Sequence, residues 1–357
     1  MYTEEQLFAT ERRRMVEEQL KGRGITDTAV LAAMNTVPRE RFVLSAYRDI
    51  AYEDRALPIL AGQTISQPYI VAYMLSALQL RPDDRVLEIG TGSGYEAAVL
   101  SRIVQEVYTV ERHEQLVEYA RQRLAQLGYD NVWIRHGDGT LGWSEHAPFD
   151  AIIASAGGPF VPPSLLQQLA INGRLVMPVG QHTHYQRLVR YTKDNSKAFK
   201  VESLGQVAFV PLIGSEGWSG ERCRYEELAH TADIGIRVRA RSPAALFACA
   251  AEAMFKLTGA IVDEESIATP RFVTVESLDV ESLLVDWLNE LLYQYEIQGE
   301  IYIHCRITSW EPTRLEAIIH GCRPIEPSVV HIKAVTYHQL QLTEKEDGWT
   351  AEIFFDI

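Results

Sequence analysis

Three glycines at alternate positions, Gly90, Gly92 and Gly94, follow directly on the run Val86-Leu87-Glu88-Ile89. Glycine has no Cβ, so this spacing lets a backbone bend sharply and lie against a ligand. Strand, glycine turn and then helix-like apolar spacing over 95–104 form the first unit of a doubly wound α/β sheet. Its ligand lies at the carboxyl ends of the strands. A dinucleotide fingerprint would place its third glycine at position 95, where this chain has Tyr95. The turn therefore points to a smaller, nucleoside-type ligand, with Glu88, Gly90, Gly92 and Gly94 as candidate contacts. Alone, the pattern also fits a plain strand-to-helix bend.

A nucleoside here calls for an acid at the end of the next strand to take the ribose hydroxyls, about 20 residues further on. Glu111, closing Val107-Tyr-Thr-Val-Glu, meets that requirement. At a third strand end, Gly137-Asp138-Gly139 sets Asp138 for an adenine amino group, and Gly139 allows close approach. Each has a plainer reading, Glu111 as an acid at a helix N-terminus and Gly-Asp-Gly as a turn. Their recurrence at successive strand ends favours an adenosyl ligand. Upstream, Gly62-Gln-Thr-Ile-Ser-Gln-Pro68 sets small and polar residues before a strong helix. Pro68 suits the first helical position, which makes Ser66 or Gln67 the N-cap. A cap and a substrate contact are compatible roles for Ser66.

The elements that must position these residues alternate. Residues 1–55 read as a helical lead-in. Beyond Pro82, strands at 86–89, 106–110, 132–136, 151–154 and 174–179 interleave with helices at 95–104, 115–127 and 163–169, as in a mainly parallel sheet. Residues 188–210 read as strands joined by the polar turn 193–197. The stretch 214–220, rich in glycine and serine and without periodicity, reads as an interdomain linker. After it, short strands at 233–240, 271–276, 301–308 and 314–320 accompany helices at 243–257 and 281–295, a small α+β domain. The second of these helices places Leu284, Trp287, Leu288, Leu291, Leu292 and Tyr295 on one face.

At 357 residues the chain is long enough for two domains, each with its own core. It has no run of about 18 apolar residues, so no membrane span is expected. Its acidic start lacks the basic and then apolar signature of a signal peptide, and a cytoplasmic location is expected. From Glu221 onward 12 Lys/Arg stand against 23 Asp/Glu, whereas the preceding residues carry 22 against 25. So acidic a tail is a poor direct ligand for nucleic-acid backbone and suits a cation or a basic protein surface better. Cys223, Cys249, Cys305 and Cys322 show no C-x-x-C spacing and read as buried free thiols.

Taken together, Gly62-Gln-Thr-Ile-Ser-Gln-Pro, Val86-Leu-Glu-Ile-Gly-Thr-Gly-Ser-Gly-Tyr, Tyr108-Thr-Val-Glu-Arg and Gly137-Asp-Gly resemble the protein-L-isoaspartate O-methyltransferases over residues 10–213. The resemblance implies a Rossmann-like, S-adenosylmethionine-dependent α/β domain over residues 1–213. Such an enzyme esterifies the free carboxylate of L-isoaspartyl, and D-aspartyl, residues in damaged proteins, which starts their repair. It assigns Ser66 to the active site and Glu88, Gly90, Gly92, Gly94, Glu111, Asp138 and Gly139 to the cofactor. Glu96 departs from it, since the family more often has Gln there. A carboxylate is ionised at neutral pH, so its attack on a sulfonium methyl needs no general base. Ser66 would orient the substrate by a hydrogen bond.

Glu227-Leu-Ala-His-Thr-Ala-Asp-Ile-Gly, Leu283-Leu-Val-Asp-Trp-Leu-Asn-Glu-Leu-Leu-Tyr, Lys333-Ala-Val-Thr-Tyr-His and Glu352-Ile-Phe-Phe-Asp-Ile resemble archease over residues 222–357, with 214–221 as the linker. Archeases assist the tRNA-splicing RNA ligase. The resemblance implies a small α+β archease-like domain with a divalent ion, Ca²⁺ or Mg²⁺, held by Asp233, Asp356 and Ile357. Hard oxygen ligands suit those ions. The alternative to this bifunctional reading is a small-molecule carboxyl methyltransferase with a purely structural tail. Direct nucleic-acid or membrane binding is not expected of either half.

Overall fold

A computed structural model describes residues 3–182, 185–218, 224–229, 234–261, 271–326, 328–345 and 348–357. The chain divides into two compact units, Met1–Trp218 and Ser219–Ile357, each with its own apolar core.

The first unit opens with α1 (Glu4–Arg14) and α2 (Thr28–Thr36). Thr3 and Gln6 close α1 with reciprocal bonds, Gln6 N to Thr3 Oγ1 at 3.2 Å and Thr3 N to Gln6 Oε1 at 2.9 Å. Asp27 caps α2 through Ala29 N and Val30 N. The short antiparallel strands β1 (Leu57–Pro58) and β2 (Thr64–Ile65) then carry the serine segment into α3 (Pro68–Leu78).

The main sheet is built from β3 (Arg85–Ile89), α4 (Tyr95–Leu100), β4 (Glu106–Glu111), α5 (Glu114–Gln126), β5 (Val132–His136), β6 (Phe149–Ala154), α6 (Pro163–Gln168), β7 (Leu169–His182), β8 (Tyr185–Lys193) and β9 (Phe199–Val207). Its strand order is β5-β4-β3-β6-β7-β8-β9. The first five strands in that order pair in parallel, whereas β7–β8 and β8–β9 are antiparallel. The sheet is thus mainly parallel, as expected, with an antiparallel edge at β8 and β9. The connections of β7, β8 and β9 are too short for a crossover helix, so those strands can only turn back. The chain runs from β3 outward through β4 to β5 and then returns to the other side of β3 as β6, and the strand order reverses there. A ligand crevice forms at such a switch point. In β3, Val86, Leu87, Glu88 and Ile89 are all buried. A parallel strand covered on both faces requires an apolar run, so a glutamate in the middle of it is the anomaly.

Arg174 of β7 ties the sheet to the end of α3. It is 9% exposed and donates to Leu78 O at 2.6 Å, Gln79 O at 2.9 Å and Asp84 Oδ2 at 2.8 Å. The helix leaves those carbonyls without internal partners, and a buried guanidinium supplies them.

The glycine- and serine-rich stretch departs from its reading as a free linker. Ser215 N and Oγ both donate to Asp138 Oδ2 at 2.7 Å. Glu216 is buried and accepts from Ser164 N at 2.8 Å and Ser164 Oγ at 2.9 Å, and Trp218 Nε1 donates to Gly157 O at 3.0 Å. Residues 214–218 are therefore part of the first unit. Low periodicity marked an irregular segment, and tertiary hydrogen bonds order it.

In the second unit, β10 (Arg224–Ala229), β11 (Ile234–Ala240), α7 (Pro243–Leu257), β12 (Arg271–Glu276), α8 (Val280–Gln298), β13 (Ile301–Glu311), β14 (Arg314–Cys322), β15 (Ala334–Lys345) and β16 (Gly348–Asp356) form two antiparallel sheets, β10-β11-β16-β15 and β12-β14-β13. Between them α8 buries Leu284, Trp287, Leu288, Leu291 and Leu292, as its spacing required, with Tyr295 partly buried against the same core. Trp287 Nε1 donates to Phe247 O of α7 at 3.1 Å, which satisfies its one polar atom inside the core. Cys305 and Cys322 are thiols outside any disulfide, but Cys249 is disulfide-bonded, which corrects its reading as a thiol. Cys223 lies outside the described residues. Among the described residues no helix is long and apolar enough to cross a membrane.

Replacing Arg174 by Met would leave Asp84 buried without its partner and the end of α3 without donors. The expected loss is about 3–5 kcal/mol in chemical denaturation of the full chain. A loss below about 1 kcal/mol would show that the pair is not structurally important.

Candidate active site

The glycine turn owes its shape to positive φ angles, 95° at Gly90, 54° at Gly92 and 88° at Gly94. An L side chain is strained there. Gly90 N continues the β3–β4 ladder to Val110 O at 2.9 Å, and Ser155 N bonds Ile89 O at 2.9 Å from the β6 side. Glu111, at the end of β4, is buried and braces the turn directly. Its Oε2 accepts from Gly92 N and its Oε1 from His113 N, both at 2.9 Å. A carboxylate has about four acceptor positions, so two remain for hydroxyl donors. Tyr95, in the place of a third glycine, turns into the core. It meets Phe42 edge-on at 5.8 Å between ring centres and lies under the Arg39 guanidinium at 4.8 Å. Burial pushes its hydroxyl up to about 12.

Gly139 lies against the same strand. A Cβ there would come within 2.6 Å of Ile89 Cγ2, so only glycine allows this approach. Asp138, the expected adenine contact, is hydrogen-bonded at both carboxylate oxygens. Its Oδ1 accepts from Thr140 N at 2.9 Å and Thr140 Oγ1 at 2.6 Å, and its Oδ2 takes both donors of Ser215. These bonds hold its carboxyl below the usual carboxylate range against the opposing effect of burial. It does not line the cavity described below, and what it organises is the 214–218 wall.

The serine segment is positioned by residues that sequence reasoning did not single out. Ser66 makes no side-chain cap. The N-terminus of α3 is instead capped from outside by Asp54, whose Oδ1 accepts from Tyr69 N at 3.1 Å and whose Oδ2 accepts from Gln67 Nε2 at 2.7 Å. The Ser66 hydroxyl is left without a hydrogen-bond partner among the described residues, and its carbonyl accepts from Arg39 Nη2 at 2.8 Å. Arg39 is fully buried and also donates from Nε to Ala51 O at 2.8 Å. No local pattern marks Arg39, because its partners are loops 12 and 27 residues away. On the opposite wall Gln186 clamps Phe209, accepting from its N at 2.8 Å and donating to its O at 3.1 Å, and so steadies Val210–Ile213.

These pieces enclose one cavity of about 330 Å³. Ser66, Gly90 and Gly92 of the turn, Glu111 and Gly139 all line it, together with Glu96, Ser155 and Val210–Ile213, whereas Gly94 packs against Ala120 and Leu124 of α5. Glu88 does not line it; it is fully buried in β3 with no partner within hydrogen-bond distance of either oxygen, and the Thr109 hydroxyl and Ala97 N–H offset its burial only in part. Burial raises Glu88 well above the carboxylate range, and repulsion from Glu96 raises it further. Glu96, in the first turn of α4, accepts from Ser155 Oγ at 3.1 and 3.2 Å. Burial pushes it up to about 7 against the lowering effect of that bond. The tight approach at Gly139 and the spare acceptors of Glu111 fit an adenosyl group. The pair of carboxyls suits a cation, and Ser66 presents a free donor at the other end.

The tail presents less. Asp233 lies outside the described residues. Asp356 gives its carbonyl to Lys333 N at 2.8 Å, and Ile357 O accepts from Lys333 Nζ at 2.7 Å, so a lysine already occupies one expected metal ligand. No cluster of three or more His, Cys, Asp or Glu able to hold an ion occurs among the described residues.

Comparison with known proteins joins these observations. Residues 10–217 match the protein-L-isoaspartate(D-aspartate) O-methyltransferase family, and residues 225–357 match the archease protein family. Protein-L-isoaspartate O-methyltransferase 2 of Pelobacter propionicus is 62% identical over 204 residues, which is 57% of this chain and 91% of that one. The Protochlamydia amoebophila enzyme is 55% identical, over 57% of this chain and 97% of its own. The crystal structure of a protein-L-isoaspartate O-methyltransferase from Plasmodium falciparum, in complex with S-adenosyl-L-homocysteine, superposes with a TM-score of 0.50. It has 28% identity over 57% of this chain and 98% of that one. The chain belongs to the protein-L-isoaspartate(D-aspartate) O-methyltransferase family and carries, after that domain, a second domain of the archease family.

Proposed function

We propose that the first domain transfers a methyl group from S-adenosylmethionine to the free carboxylate of L-isoaspartyl residues, and of D-aspartyl residues, in damaged proteins. The observation that carries this is the shared cavity, which Ser66 lines together with Gly90, Gly92 and Glu111. S-adenosylmethionine, when bound, supplies an electrophilic methyl on a sulfonium. Glu111 would take the ribose hydroxyls, Gly90, Gly92, Gly94 and Gly139 would let the backbone close on the adenosine, and Glu88 would face the charged end. The Ser66 hydroxyl, held in place through its carbonyl by Arg39, would donate to one oxygen of the substrate carboxylate and leave the other to attack. No group need remove a proton, because the nucleophile is already ionised at neutral pH. What the chain contributes is orientation and exclusion of water. Asp138 supports the site by anchoring 214–218. A cytoplasmic place of action belongs to this reading, as does a domain boundary between the family matches, near residues 218–224.

For the second domain we propose the archease role, assistance to a tRNA-splicing RNA ligase, supported by the family match over 225–357. Asp233, Asp356 and Ile357 are the candidate ligands for Ca²⁺ or Mg²⁺. An ion at Ile357 would have to displace the Lys333 ammonium.

Tritiated S-adenosylmethionine offered with an isoaspartyl peptide and its aspartyl twin tests the first reading. Label is expected in the isoaspartyl peptide alone. Labelling of both peptides, or of small carboxylic acids only, would sink it. Ser66→Ala is expected to lower kcat/KM about 10- to 100-fold, the cost of one hydrogen bond to a charged group, with S-adenosylhomocysteine affinity unchanged by calorimetry. Calcium affinity of the full chain is expected to drop in Asp233→Asn and in Asp356→Asn. Equal affinity in the wild type and both variants would remove these residues from a metal site.

A further inference from the structure

Glu96 and Glu88 form a buried pair of carboxyls that the methyl-transfer reading leaves without a task. Glu88 is fully buried with both oxygens orphaned, and Glu96 is 7% exposed, lines the cavity and receives only the Ser155 hydroxyl. The groups around the pair supply no compensating charge. From β3 comes Glu88 itself, and from β4 comes Glu111, a further acid. Arg112 and His113, after β4, line the same cavity, and Tyr95 of α4 has Arg39 over its ring. Among the described residues none of these cations makes an ion pair or hydrogen bond with either carboxyl. Two buried carboxyls without a cation cannot both ionise at low cost, so the arrangement waits for a positive ligand.

The sheet order says which part of the ligand that is. β3 stands between β4 and β6. Glu111 closes β4, and Ser155, the partner of Glu96, follows β6. A nucleoside with its ribose at Glu111 therefore extends its 5′ substituent across β3 toward Ser155 and Glu96. In S-adenosylmethionine and S-adenosylhomocysteine that substituent ends in an α-amino acid, whose ammonium, and not its carboxylate, is the group two acids would receive.

Resting on the cofactor reading above, we propose that Glu96 joins Glu88 as the anionic seat for the ammonium end of the cofactor, and that the pair holds a proton which is released to solvent when the ammonium arrives. A glutamine at this position could accept a hydrogen bond but would carry no charge. Glu96 thus makes cofactor binding in this chain proton-linked. The rise of the Glu96 carboxyl to about 7 puts the linkage near neutral pH. The sign follows from the charge: the ionised pair binds the cation, so affinity rises with pH up to about 7 and levels off above it.

Calorimetry of S-adenosylhomocysteine binding to the full chain at pH 6.5, in two buffers of different ionisation enthalpy, counts the protons released. The wild type is expected to release about half to one proton, with affinity rising up to about tenfold per pH unit below pH 7. Glu96→Gln, which keeps only Glu88 as an acid, is expected to release fewer protons than the wild type and to show a shallower profile near pH 7. 5′-Methylthioadenosine, which lacks the amino-acid end, should bind the wild type without proton release, so the comparison stands even if the variant folds poorly. Equal proton release by wild type and Glu96→Gln, or release with 5′-methylthioadenosine, would overturn the assignment while leaving the methyltransferase reading intact. If S-adenosylhomocysteine does not bind the wild type at all, both readings fall.

Discussion

The site depends most on one buried cation. Arg39 has no solvent exposure, and its guanidinium reaches the carbonyls of Ala51 and Ser66 while lying over the ring of Tyr95. A charge taken fully out of water is tolerated only where dipoles and acceptors replace the lost hydration. The chain meets that demand in part, by bringing the helical lead-in, the serine segment and the first turn of α4 to one point; Nη1 keeps no hydrogen-bond partner, and burial pulls the guanidinium's pKa down. The substrate half of the cavity comes from a loop, and loops hold poorly defined positions unless tied down. Here the tie is charge-assisted and buried, and it acts on the backbone of the residue whose side chain must stay free. Asp54 completes the arrangement by capping α3 in place of Ser66.

The parts of this architecture that rest on local spacing were legible beforehand. The glycine turn, Glu111 at its strand end, the face of α8 and the alternation of strands with helices follow from periodicities and conformational limits that act within a few residues. What could not be read depends on partners far along the chain. Asp138 looked like an adenine contact because Gly-Asp-Gly stands at a strand end, but Ser215, 77 residues later, takes half of its carboxylate. Gly214–Trp218 had a linker's composition for the same reason that makes it a good wall: small residues let its backbone lie close to Asp138 and Thr140. The β8–β9 hairpin was legible from the polar turn 193–197, but the return of β7 into β8 was not, because no turn signal was read between them. Arg39 and Asp54 carried no signal at all, since the groups they bond lie 12 to 27 residues further along the chain.

The two buried acids show where such reasoning stops and energetics takes over. Glu88 sits in a strand otherwise fit for a core, and Glu96 sits beside it in a helix's first turn, where a negative charge is normally welcome. Burial defeats that welcome. A carboxyl with an ordinary value near 4.5 that rises to about 7 on folding favours the folded chain only while protonated. Its penalty is absent below about 4.5, grows between the two values and is complete above about 7, so the ligand-free domain loses stability over the range in which the pair becomes a better cation site. A core that wanted only stability would place an amide or an apolar group there. Keeping two acids trades stability of the empty domain for affinity toward a positively charged ligand, and that trade is intelligible only if the ligand reaches them. The position of Ser155 past β6, across β3 from Glu111, puts them where an adenosyl cofactor's charged end would come.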